Sequence, residues 1–210
     1  MKVLLINGSP HKEGSTYTAL CEVSKTLNEE NIETEIFQIG TEPIASCRGC
    51  GACSKLKQCV IDDKVNEFVK IAKDTDGFII GSPVHYAAPY GNLISFLNRV
   101  FYSASRTDKN IFKLKPAAAV VCARRAGSTS AFDQINKFFT INEMPIISSR
   151  YWNMVFGLNA SDVVKDLEGM QIMRILGRNF AYFLKCKEAA KAMNIPLPKQ
   201  EEIEMTNFIR

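Results

Sequence analysis

Short apolar runs alternate along the chain with stretches whose apolar residues recur every three or four positions. The first run, "KVLLIN" (Lys2–Asn7), is unbroken and reads as a buried strand. Leu20, Val23 and Leu27 then recur at helical spacing and predict a helix over Thr16–Glu30. "ETEIFQI" (Glu33–Ile39) alternates as a second strand. Val65, Phe68, Val69 and Ala72 mark a helix opened by Asp62 and Asp63, whose charge suits a helix N-terminus. "GFIIGSP" (Gly77–Pro83) is the third strand, followed by a helix over Asn92–Tyr102. "PAAAVVCA" (Pro116–Ala123) is the fourth, with a helix near Ala131–Phe139, and "MPIIS" (Met144–Ser148) is the fifth. A long helix over roughly Leu167–Met193 closes the chain. Strand, loop and helix in repetition imply an α/β fold, a doubly wound parallel sheet with helices on both faces. Right-handed crossovers and five strands fit the order 2-1-3-4-5, with ligands beyond the carboxyl ends of the strands.

Composition narrows the class. The 210 residues form one expected domain spanning 1–210, with a cysteine loop at 47–59 inserted after the second strand and a helical extension over 161–210. Hydrophobic residues make up 46% and charged residues 23%, ordinary for a globular protein. The net charge of +4 is mild and spread along the chain, so no nucleic-acid partner is expected. The N-terminus offers only Val3–Ile6 as an unbroken apolar run, too short for a signal peptide. No stretch reaches the ~20 apolar residues that cross a bilayer. The expectation is a cytoplasmic protein with no membrane partner and with reduced thiols.

Three loops at the expected ligand edge carry candidate chemistry. "NGSPHKEGST" (Asn7–Thr16) leaves a strand and enters a helix, so its backbone N–H groups and the helix dipole form an anion site. Ser9, Ser15 and Thr16 add hydroxyls that suit one phosphate monoester held without metal; the alternative is a simple helix cap. The Gly-Lys-Ser/Thr ending of a nucleotide-hydrolysing loop and the three-glycine dinucleotide fingerprint are both missing. "SPVHYAAPYGN" (Ser82–Asn92) is a stiff apolar and aromatic loop able to lie against a flat ring, with Tyr86 the stacking candidate. His85 there is either a surface residue or a proton-transfer group. "ARRAGSTSA" (Ala123–Ala131) brings Arg124 and Arg125 to the same rim, where they stabilise a reduced anionic ring, bind a nucleotide phosphate, or are merely solvated. Tyr151 and Trp152 would wall the pocket, join a subunit interface, or pack in the core.

Four of the seven cysteines crowd into "CRGCGACSKLKQCVIDD" (Cys47–Asp63), spaced C-x2-C-x2-C-x5-C. Cys47, Cys50, Cys53 and Cys59 could wrap one iron–sulfur cubane, hold zinc, or remain reactive thiols. Gly49 and Gly51 allow tight turns between the ligands, and Lys55 and Lys57 would favour thiolates under any of the three readings. Cys21, Cys122 and Cys186 fall within helix or strand patterns and read as packing residues.

Taken together, "GSPHKEGST", "CRGCGACSKLKQCVIDD" and "GSPVHYAAPYGNLISFLNRV" resemble, in order and spacing, the NADPH-dependent FMN reductase family and its iron–sulfur flavoprotein branch. The resemblance covers about Met1–Ile147. It implies a flavodoxin-like fold, FMN as cofactor, and a homodimer or homotetramer with the flavin near a subunit interface. It assigns the FMN phosphate to Ser9, Pro10, Ser15 and Thr16, and the ring to Pro83, Val84, His85 and Tyr86 with Arg124, Arg125, Ala126 and Gly127. At position 85 the branch often has Tyr where this chain has His. It implies a [4Fe–4S] cluster on the four clustered cysteines.

The function expected is an FMN-dependent oxidoreductase. A reduced nicotinamide, NAD(P)H, or a ferredoxin-type donor would supply electrons, and a small molecule or a protein would accept them. No catalytic side-chain acid is needed, because the flavin itself accepts hydride. A cluster-free NAD(P)H-dependent FMN or quinone reductase, and a non-enzymatic zinc or thiol redox sensor, are the alternatives. A cysteine phosphatase is excluded, since no cysteine is followed by Arg six positions on.

Overall fold

The computed structural model describes residues 1–107, 110–206 and 208. β1 (Lys2–Asn7) leads through α1 (Ser15–Glu29) to β2 (Glu33–Gln38), and a short helix, α2 (Cys53–Leu56), lies within the cysteine loop. α3 (Lys64–Ala72), β3 (Gly77–His85), β4 (Ala88–Pro89) and α4 (Gly91–Ser105) follow. β5 (Ala117–Ala123), α5 (Ser128–Ile141), β6 (Met154–Phe156), α6 (Ala160–Val163) and α7 (Leu167–Ala192) complete the order. Five strands pair in parallel in the order β2-β1-β3-β5-β6, the flavodoxin-like arrangement, with β4 turned back antiparallel onto β3.

Alternation along the strands builds two cores. Leu4 and Ile6 of β1, with Phe78 and Ile80 of β3, face α3, α4 and α5. Val3 and Leu5, with Ile79, Ala118 and Val120, face α1 and α7. Because both faces are covered, these strands are apolar throughout, which is why they read as continuous runs rather than alternating ones. Helix starts follow local chemistry: Asp63 accepts the Val65 N–H at 3.0 Å, and Asp166 accepts the Gly169 N–H at 2.9 Å. Among the described residues no helix is long and apolar enough to cross a membrane.

Two expectations need correction. The fifth strand is Met154–Phe156, not Met144–Ser148. Ile146 makes only an isolated bridge to Ala117, after which the chain leaves the sheet and rejoins it at Met154, opposite Val121. Asn153, almost fully buried, brackets that excursion: its side-chain oxygen accepts the Ser149 N–H, and its carbonyl accepts the Val121 N–H at 2.9 Å. Cys186 lies on the exposed face of α7 rather than in packing, whereas Cys122 is buried and Cys21 half-buried.

Candidate functional site

β1, β3, β5 and β6 deliver their loops to one end of the sheet. The loop after β1 is held from below by two side chains that sequence reasoning did not single out. Asn7, fully buried, donates to the His11 carbonyl at 3.3 Å and to Gln38 Oε1 at 2.5 Å, while Gln38 Nε2 donates to the Ser9 carbonyl at 2.7 Å. Their signal was a polar residue at the end of each strand. Ser9 is buried and its Oγ accepts the His11 N–H at 3.1 Å, so this hydroxyl shapes the loop. Pro10 and Ser15 are half-exposed. Thr16 Oγ1 is enclosed beside the Cys122 thiol without a well-formed hydrogen bond. Gly14 occupies the cap position of α1, with no side-chain cap and no acidic residue in the first turn. The first N–H groups of that helix therefore lack partners within the helix and present a positive dipole end.

The loop after β3 is a tight hairpin rather than an open coil. Val84 pairs with Pro89 and His85 with Ala88, leaving Tyr86 and Ala87 as a two-residue turn at φ +52° and +59°. Both central residues of such a turn need positive φ, which favours Gly or Asn; here a tyrosine and an alanine accept the strain. Tyr86 stands fully exposed at the tip. Val84, Tyr86 and Ala87 face Ala123, Arg124, Arg125, Ala126 and Gly127 across a cleft of about 410 Å³. Six of the eight residues assigned to the ring thus line one cleft. Pro83 lies below it within β3, opposite Cys122, and His85 points away, its ring edge-on to Tyr90 at 5.4 Å. Tyr151 and Trp152 are half-exposed and meet edge to face at 4.9 Å, so they are not core residues; they line a neighbouring cleft with Met154 and Phe156.

The cysteine loop folds against α4. Gly49 and Gly51 take the left-handed conformation between ligands, at φ +63° and +69°. Cys47, Cys50, Cys53 and Cys59 line one pocket together with Arg99, Tyr102 and Ser103. Burial pushes the Cys53 thiol up from its usual range. Among the described residues no three His, Cys, Asp or Glu side chains converge closely enough to hold a single metal ion. Arg99, only 1% exposed, closes the pocket's inner wall. It forks onto Asp63 at 2.5 and 3.0 Å and donates to the Ile61 carbonyl at 2.8 Å. It also sends two N–H groups to Cys59 Sγ, at 3.3 and 3.2 Å. Burial works against its charge, but Asp63 and Cys59 outweigh this and raise its pKa. Asn66, equally buried, clamps Cys59 from the other side, exchanging hydrogen bonds with its backbone at 3.1 and 2.9 Å.

A family model described as NADPH-dependent FMN reductase matches residues 1–158. The chain belongs to that family. As an NADPH-dependent FMN reductase family member it is an FMN-dependent oxidoreductase. An iron–sulfur flavoprotein of Methanocaldococcus jannaschii is 32% identical over 194 residues, covering 88% of this chain and 98% of the relative. Two solved structures share the fold. RosB with bound 8-demethyl-8-formylriboflavin-5'-phosphate superposes with a TM-score of 0.69 at 13% identity, covering 100% of this chain and 94% of RosB. A flavodoxin from the domain Archaea superposes at 0.59 and 14% identity, covering 88% of this chain and 99% of the flavodoxin.

The residues present suit the family cofactor. The uncapped start of α1 is fitted to an anion, as a helix N-terminus after the first strand of such sheets commonly is. Gly127, at φ +88°, leaves room that a side chain would fill: a Cβ there would meet Ala87 Cα at 2.8 Å. The hairpin and the β5 loop therefore pack directly against each other at Gly127 and together form one wall of the cleft.

Proposed function

We propose that this FMN oxidoreductase holds a [4Fe–4S] cluster in its four-cysteine pocket, takes electrons from a reduced nicotinamide or a ferredoxin-type protein, and passes them to a small acceptor. The observation that carries the cluster is the pocket itself: all four motif cysteines line it, and a buried guanidinium reaches one of the sulfurs. A single zinc ion draws its ligands onto one point at about 2.3 Å, whereas a cubane gives each thiolate its own iron and spreads them apart. Four cysteines on one pocket, at the motif's spacing, match the number of thiolates a cubane takes. The name of the Methanocaldococcus jannaschii relative supports the same assignment.

When bound, FMN supplies hydride acceptance and single-electron release. The chain's own residues bind, orient and polarise. The first turn of α1, with Ser9, Pro10, Ser15 and Thr16 around it, holds the phosphate. Val84, Tyr86, Ala126 and Gly127 confine the ring, with Pro83 and His85 supporting the hairpin, and Arg124 and Arg125 favour negative charge on it. One helix serves both centres. α4 starts at the hairpin, where the Tyr90 N–H donates to Ser82 Oγ, and carries Arg99 about 12 Å further on, at about 1.5 Å per residue. A second copy of the chain is the partner that best covers the exposed Tyr86 tip, giving a homodimer or homotetramer.

Protein purified without oxygen, analysed for FMN, iron, sulfide and zinc, tests this reading. FMN together with iron and acid-labile sulfide, and broad visible absorption beyond the flavin bands, is the expected result. FMN with no iron after anaerobic reconstitution would overturn the cluster and leave a cluster-free reductase. Zinc at one equivalent would turn the pocket into a structural site.

A further inference from the structure

Arg99 is the only charged side chain fully buried among the described residues. Removing a guanidinium from water costs several kcal/mol unless its N–H groups are all satisfied. Asp63 provides the carboxylate fork, and the Ile61 carbonyl takes a further N–H. Two N–H groups nevertheless point at Cys59 Sγ. A neutral thiol is a weak acceptor, so this is a poor use of scarce donors unless the sulfur carries negative charge. Among the described residues none of Cys47, Cys50 and Cys53 receives such a guanidinium donor on its sulfur, which sets Cys59 apart within the set. The arrangement is also held rigidly: Asn66 fixes the Cys59 backbone, and Asp63 both caps α3 and orients the guanidinium.

We propose that Arg99 is a positioning residue that raises the reduction potential of the centre held by Cys59, and that Asp63 moderates it. The inference rests on the cluster reading above. Reduction adds one electron to the cluster and moves no proton or ligand. The added negative charge spreads onto the thiolate sulfurs, where the guanidinium and its N–H···S bonds favour it. Hydrogen bonds to cluster sulfurs and local charge are recognised determinants of cluster potential. Asp63 supplies the opposing charge on the far side of the guanidinium, and its side chain is only 28% exposed.

The test is a redox titration, followed by visible absorbance and electron paramagnetic resonance, with dithionite as reductant and mediator dyes. It compares wild type, Arg99→Met, Arg99→Lys and Asp63→Asn. Iron, sulfide and FMN are quantified in each preparation. Asn caps a helix about as well as Asp, so Asp63→Asn removes charge while keeping α3 anchored. Arg99→Met should make the centre harder to reduce by about tenfold in its reduced-to-oxidised ratio at a fixed poise, about 59 mV for a one-electron couple. Arg99→Lys should fall between wild type and Arg99→Met. Asp63→Asn should move the potential the other way, upward. A residue that only props the fold would give no such opposed pair of shifts. Clusters present in full with unchanged potentials would overturn this inference and leave the cluster reading standing. Wild type without iron after reconstitution would overturn the cluster reading, and this one with it. Should Arg99→Met fail to fold, Arg99→Lys carries the comparison: a lowered potential supports the inference and an unchanged one overturns it.

Discussion

Gly127 offers a quantitative test of the proposed flavin cleft, because a second glycine provides its control. Gly127→Ala and Gly40→Ala both place an L side chain at strongly positive φ, +88° and +83°. That strain costs roughly 1–2 kcal/mol at either position. The surroundings then separate them. A Cβ at Gly40 meets nothing within 4 Å, whereas one at Gly127 meets Ala87 Cα at 2.8 Å, Ala87 Cβ at 3.0 Å and Val84 Cγ1 at 3.2 Å. Backbone cannot swing aside as a long side chain does, and Ala87 is already held at φ +59°. Overpacking of this kind adds about 1–3 kcal/mol. Thermal unfolding of FMN-free protein should therefore show Gly127→Ala losing about twice as much as Gly40→Ala, each kcal/mol moving Tm by about 2–4 °C at this chain length. Flavin fluorescence titration should show FMN binding at least about tenfold weaker in Gly127→Ala, because the hairpin is pushed off the β5 loop, and unchanged in Gly40→Ala. Equal stability losses with equal FMN affinity would refute the closeness of the two loops and their joint role as a wall of the ring cleft.

Other outcomes follow from the same geometry. Thr16→Val should stabilise FMN-free protein by about 1 kcal/mol, because it removes an enclosed hydroxyl that lacks a good partner; a fall in Tm would contradict this. Burial pushes Cys122 from 9.0 up to about 12. Its native pKa is thus above the unfolded one, so its contribution is complete below pH 9 and is lost as pH rises toward 12. Urea unfolding at stepped pH should show Cys122→Ala flattening that decline, whose slope reaches about 1.4 kcal/mol per pH unit. Asp63→Ala should cost about 3–5 kcal/mol, since it strands the Arg99 charge in the interior and uncaps α3; a loss below 1 kcal/mol by denaturant titration would argue against that pairing.

Local pattern carried much of this fold and failed at identifiable places. β1, β3 and β5 were legible because their runs are buried on both faces, and the family loops sit where the strand order puts them. The fifth strand was misplaced because "MPIIS" is the more strand-like text, while the true pairing uses the three residues Met154–Phe156 beyond a detour that no period reveals. The hairpin turn was unreadable since Tyr86 and Ala87 are not residues that announce positive φ. Cysteine spacing marked the pocket, but Arg99 lies 40 positions beyond Cys59 on an amphipathic helix. There an arginine reads as solvent-facing, and only its place amid Phe96, Val100 and Ser103 hinted otherwise.

The detour before β6 also bears on how copies of this protein meet. Had the chain run straight on from Ile147, a long row of free amides and carbonyls would border the sheet, inviting another chain to extend it. Instead the border offers the three residues Met154–Phe156. Pairing of another chain onto that flank is thereby limited to a short stretch. The sheet's opposite border, β2 (Glu33–Gln38), is twice as long, so backbone pairing with another chain would find its better footing there.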